Sequence, residues 1–118
     1  MYGLPADVDF RFFVDLVLTQ VCMGLHELIV HFGTDATVTA EGDVGVRVAA
    51  DPERIFSDYR QAVADVASFL SRTVVAVEPR ADGTLTLSFG DNGQLSFYDS
   101  SPHYESYQIR HGPDYYVV

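Results

Sequence analysis

Leu28-Ile29-Val30-His31-Phe32-Gly33-Thr34-Asp35 and Leu85-Thr86-Leu87-Ser88-Phe89-Gly90-Asp91-Asn92 deliver one message twice. Each run alternates two sets of side chains over five residues, the period of a strand with one buried face, and each stops on Phe-Gly and a polar turn. Val38 follows the first run and Leu95 the second, and valine-rich strands, Val17 to Cys22 and Val74 to Val77, precede them. Segments 17–41 and 74–98 are therefore either an internal repeat or two hairpins that converged on the same turn chemistry.

Outward from these hairpins the strand signal continues. Gly42-Asp43 turns the chain into Val44, Val46 and Val48, so residues 17–48 read as an antiparallel meander. At Asp51-Pro52-Glu53 the signal changes to an Asp cap, a proline in the first turn and an early acid. Ile55, Phe56, Tyr59, Val63, Val66 and Leu70 then follow at spacings that draw one stripe, which predicts a helix over 52–71 with its apolar face on a sheet. Thr73 to Val77 returns to strand.

Asp99-Ser100-Ser101-Pro102 is a turn cluster, and residues 104–110 alternate again, with Tyr107 and Ile109 on one face and Tyr104, Ser106, Gln108 and Arg110 on the other. His111-Gly112-Pro113-Asp114 leads to a last strand, Tyr115 to Val118, whose apolar character calls for pairing in a sheet. The expected fold class is α+β: one domain over 1–118, antiparallel β-meanders of about eight short strands, and one central amphipathic helix packed on the sheet.

Charge narrows the partners. Seventeen Asp and Glu stand against seven Arg and no Lys, a formal charge of -10. Nucleic acids and anionic membranes both draw affinity from cations, so neither is an expected partner. An acidic field steers a basic protein and also serves solubility alone. Cys22, the only cysteine, lies in Val21-Cys22-Met23 with no activating neighbour and reads as a small buried hydrophobe. The opening, Met1 to Asp9, has no basic region, and no apolar run nears the ~20 residues of a membrane span, so a cytoplasmic protein is expected. The glycines fall in turns without the spacing of a phosphate-binding loop, and no cofactor or metal is expected.

Residues 102–118 hold four of the seven tyrosines and two of the four histidines. His103 and Glu105, two apart, can face one ligand, and His111 can join them; Glu105 can equally tie down backbone amides at the turn. The binding candidates are His103, Tyr104, Glu105 and Arg110, with no catalytic residue and no metal ligand assigned.

Pro102-His103-Tyr104-Glu105-Ser106-Tyr107-Gln108-Ile109, preceded by Gly83 to Phe89 and Gly93-Gln94-Leu95 and followed by Val117-Val118, resembles a family of small bacterial proteins of unknown function. In that family a His-Tyr-Glu-Ala-Trp-like block closes a β-rich domain; here Ser106 and Tyr107 stand where alanine and tryptophan are common. Such proteins look like those encoded near bacterial toxin systems, where small acidic α+β proteins act as immunity partners. The resemblance thus implies a binding protein, an immunity-type inhibitor of a cationic toxin domain. The residues leave two alternatives open: a small-ligand or enzymatic site near His103, Glu105 and Tyr107, and a self-associating domain, a homodimer paired through its last strand.

Overall fold

Both Phe-Gly hairpins form, each inside its own sheet. The computed structural model describes residues 3–101 and 105–118. Strands β1 (Leu18–Met23), β2 (Leu28–Phe32) and β3 (Ala36–Ala40) make one antiparallel meander, and β6 (Val74–Pro79), β7 (Leu85–Phe89) and β8 (Gln94–Phe97) make the other. Two further hairpins, β4 (Val44–Arg47) with β5 (Arg54–Phe56) and β9 (Tyr107–His111) with β10 (Asp114–Val117), complete them. Among the described residues the result is ten strands in two five-stranded sheets plus one helix, so the α+β class holds with more strands than the sequence suggests.

The hairpins cross over. Sheet 1 runs β1-β2-β3-β9-β10 and sheet 2 runs β5-β4-β8-β7-β6, so β4, which follows β3 in the chain, leaves to pair with β8, and β9 returns to pair with β3. The alternation explains the core beneath. Leu28, Val30, Phe32, Val38 and Ile109 of sheet 1 and Val44, Val46, Leu87, Leu95 and Phe97 of sheet 2 are all buried in one apolar cluster.

The two halves obey the same plan in detail. β1 and β6 each carry a bulge one residue in, between Leu18 and Gln20 and between Val74 and Ala76. Their leading ends pair reciprocally: Leu18 N–H donates to the Arg72 carbonyl and Val74 N–H to that of Leu16, while Ser71 N–H donates to the Leu18 carbonyl and Asp15 N–H to that of Val74. Asp15 and Ser71, which open these pairs, both have left-handed backbones, φ 75° and 69°. Phe13 packs edge-on against Phe32 and Phe69 stacks on Phe89, so each meander's second strand ends against a phenylalanine from the segment before it.

The helix is shorter and later than 52–71. It spans Tyr59–Ala67 (α1), capped by Asp58, whose Oδ1 accepts from Arg60 N–H at 3.0 Å. Arg54–Phe56 forms β5 because the free edge of β4 offers it a hydrogen-bonded ladder, and local periodicity over three residues cannot resist that. Ile55, read as part of the helical stripe, is 59% exposed on this strand. Before β1 a single 3-10 turn, Phe10–Phe13, is capped by Asp9, and the Arg11 guanidinium beside it holds the Asp9 carboxyl down to about 2.

Candidate functional site

Antiparallel register sorts the outward side chains of sheet 1 into two rows. Gln20 faces His31, His31 faces Thr37, Thr37 faces Arg110 and Arg110 faces Tyr115, so five strands contribute one residue each. Cys22, Ile29, Thr39, Gln108 and Val117 form the parallel row by the same pairings. At ~4.8 Å between strands, Arg110 and His31 stand about 10 Å apart.

Between the rows lies an open cleft of about 410 Å³, walled by His31, Thr37, Arg110 and Tyr115 on one side and Ile29, Thr39 and Gln108 on the other. The Arg110 guanidinium sits 4.8 Å from the centre of the Tyr115 ring, a cation–π contact that fixes both side chains. His31 Nδ1 and Thr37 Oγ1 are hydrogen-bonded at 3.1 Å. The cleft is rich in donors and none of its seven lining residues is a carboxylate. Such a surface can hold and orient an acceptor-bearing group.

The sequence candidates divide. Arg110 is exposed and lines the cleft. Glu105 sits beside it: its Oε2 accepts from Gln108 Nε2 at 2.8 Å, a side-chain partner and not the backbone amides of a turn. His103 and Tyr104 lie outside the described residues. Tyr107 is fully buried with its hydroxyl donating to the Gly83 carbonyl at 2.6 Å, so it faces the core and the structure does not bring it to the cleft with Glu105 and Arg110. His111 stacks on Phe12 with ring centres 3.8 Å apart. Cys22, expected in the core, is instead half-buried, because the bulge after Leu18 carries it to the outward row.

Sequence reasoning passed over Thr37, Thr39, Gln108 and Tyr115. Their signal was the outward half of each alternation, which is silent on the neighbours that pairing will supply.

The outward face of sheet 2 is closed by the chain itself. Gly45 has no side chain, and the space a Cβ would take is occupied by the Glu53 carboxylate and the Tyr98 ring. Tyr98 Oη donates to Glu53 Oε1 at 2.6 Å, and Thr86 and Ser96 share a buried hydrogen bond of 2.8 Å beneath them. Burial, then the hydrogen bond to Glu53 and after it the Glu53 charge, push the Tyr98 phenol from 10.0 up to about 12. The neutral phenol is the form the fold favours, so its contribution is complete below the unfolded value and is lost as pH rises through about 12. Glu53→Gln moves the Tyr98 titration down toward its ordinary value, read from the Cζ chemical shift of labelled tyrosine; an unmoved titration shows that burial alone sets it.

A larger cleft, about 530 Å³, opens between β4, β5 and α1 over Val46, Val48 and Pro52. Its cation is already spent, because Arg54 is ion-paired to Asp65 at the mouth. The sheet 1 cleft keeps its arginine free of such a pair, and chemistry ranks it first despite its smaller volume. Among the described residues no group of three or more His, Cys, Asp or Glu is placed to hold a metal, and no helix is long and apolar enough to cross a membrane. Compared with protein families, characterised proteins and solved structures, the chain finds no match in any of the three.

Proposed function

We propose that the chain is a binding module for another protein, most concretely an immunity-type inhibitor of a toxin domain, and that the outward face of sheet 1 is its contact surface. One observation carries this reading: Tyr115 is 51% exposed yet its ring is held against Arg110. A fixed aromatic beside a guanidinium is the pairing that dominates protein interfaces, since it offers contact area with little rotamer entropy left to lose. The charge of -10 adds long-range attraction for a basic partner and a salt-sensitive encounter rate.

The test is capture from the native host by the tagged chain at low salt, alongside Tyr115→Ala. A stoichiometric partner retained by the wild type and lost by the variant supports the reading. No partner at low salt, or a partner indifferent to Tyr115→Ala, sinks it.

A second reading is self-association. Among the described residues β10 is the edge of sheet 1, with a partner strand on one side only, and such an edge can pair with its copy across a two-fold axis. Light scattering that returns the 13.1 kDa monomer removes it.

A further inference from the structure

The two-fold plan of the fold places an arginine at the same point on each sheet. Arg47 follows Val44 and Val46 in β4, which pair with Phe97 and Leu95 of β8; Arg110 follows Tyr107 and Ile109 in β9, which pair with Ala40 and Val38 of β3. Both are the next outward residue of a strand that has crossed over from the other half. The remaining arginines each have a carboxylate: Arg11 with Asp9, Arg54 with Asp65, Arg60 with Asp58, Arg72 with Asp91 and Arg80 with Glu78. Among the described residues Arg47 and Arg110 have none.

What lies over the two differs. On sheet 2 the chain brings its own acid: Glu53, one residue before the β5 residue Arg54 that pairs with Val46, covers Gly45 and is held there by the Tyr98 hydroxyl. Arg47 is half-buried, its Nε without a hydrogen-bond partner among the described residues. On sheet 1 Gln108 stands at the position of Gly45, and Tyr115 is the outer-strand neighbour of Arg110. The Gln108 side chain itself fills the place that Glu53 takes over Gly45 and donates to the Glu105 carboxylate, and the open cleft lies beside it, next to Arg110.

We propose that a partner protein supplies Arg110 with the carboxylate that no described residue of the chain gives it: a Glu or Asp side chain, seated in the cleft between Arg110, Tyr115, Thr37 and Thr39. This rests on the binding-module reading and names the partner's anchoring group. The guanidinium fork matches a carboxylate in geometry and charge, the Tyr115 ring fixes the guanidinium, and Ile29 gives apolar surface to the stem of a Glu or Asp. The field of a chain with charge -10 repels a free anion, so the acid arrives as an isolated residue within a basic surface. Attraction then comes from the surroundings and register from the single inverted pair.

The experiment titrates isotope-labelled protein with the blocked peptide Gly-Arg-Glu-Arg-Gly, its Glu-to-Gln analogue and inorganic phosphate. The resonances read are Arg110 Nε–H and the Thr37 and Thr39 amides. Saturable shifts are expected with the Glu peptide. Losing the charge-assisted pair weakens binding about tenfold or more, either through the Gln peptide or through Arg110→Gln. Arg110→Lys recovers part of it, since charge survives and the fork does not, and Arg47→Gln changes nothing at Arg110. Arg110→Gln must keep the wild-type spectrum away from the cleft, which shows that it is folded.

Equal binding of the two peptides, unchanged binding by Arg110→Gln, or no shift at all overturns the proposal, as does phosphate binding more tightly than the Glu peptide. A captured partner indifferent to Arg110→Gln overturns this assignment while leaving the binding module intact. Peptide shifts at Arg110 without any captured partner leave the carboxylate site standing and remove the module.

Discussion

Tyr107→Ala lowers the unfolding free energy by about 3–5 kcal/mol, the range for deleting a buried aromatic from a packed core. Tyr107 is among the largest side chains with no exposure at all, and its ring centre lies 5.8 Å from that of Phe97. The residue joins the two sheets: it belongs to β9 of sheet 1, and its hydroxyl reaches the Gly83 carbonyl in the turn between β6 and β7 of sheet 2. Gly83 is fixed there by its left-handed φ of 91° and by Asp99, whose Cβ lies 2.7 Å from where an alanine methyl would sit. Burial, then the charges of Asp99 and Asp82, push the Tyr107 phenol well above the ordinary tyrosine range, which keeps it a donor. Tyr107→Phe retains the ring and leaves one buried carbonyl short of its donor, for about 1–2 kcal/mol. Urea unfolding of both variants checks the ordering; equal losses show that the hydroxyl, and not the ring, holds the sheets together.

Phe69→Ala costs about 3–5 kcal/mol, and Phe13→Ala a comparable amount. Phe69 stacks on Phe89 at 4.6 Å with 12° between the ring planes, and the bare face of Gly93 lets it approach, since an added Cβ there would lie 2.7 Å from the ring. Phe13 meets Phe32 at 5.4 Å, and both Phe13 and Phe69 are fully buried. Yet one belongs to a four-residue 3-10 turn and the other follows a nine-residue helix. Comparable losses in calorimetric unfolding show that the two halves lean on the same contact. A Phe13→Ala loss below about 1 kcal/mol shows that the shorter element is peripheral, whatever its burial.

The strands were legible wherever an inward set alternates with an outward one. Leu28, Val30 and Phe32 are buried, Tyr107 and Ile109 are buried, and the closing tyrosines and valines are paired through β10. The helix boundary was misread because Asp51-Pro52-Glu53 carries good start chemistry, while Asp58, the true cap, falls within the expected helix on the polar side of its apolar stripe. Nothing local tells Arg54-Ile55-Phe56 that β4 will offer an edge. The crossover was invisible for a related reason: Val44 and Val46 show only that they are inward, not which sheet receives them.

The cleft was half legible. Arg110 followed from alternation, but its neighbours Thr37 and His31 come from strands about seventy to eighty residues earlier and are set beside it by register alone.

The crossed hairpins also set a timetable for synthesis. A ribosome releases β4 and β5 long before β8, the strand that must receive them, while sheet 1 cannot finish until β9 and β10, the last strands in the order, emerge. Neither half can bank its structure early, since every intermediate chain length leaves an unpaired edge and an exposed apolar face. Closure therefore depends on contacts far apart along the chain, and nascent copies crowded on one messenger RNA can donate their hairpins to one another. Once closed, each half is held shut by strands belonging to the other.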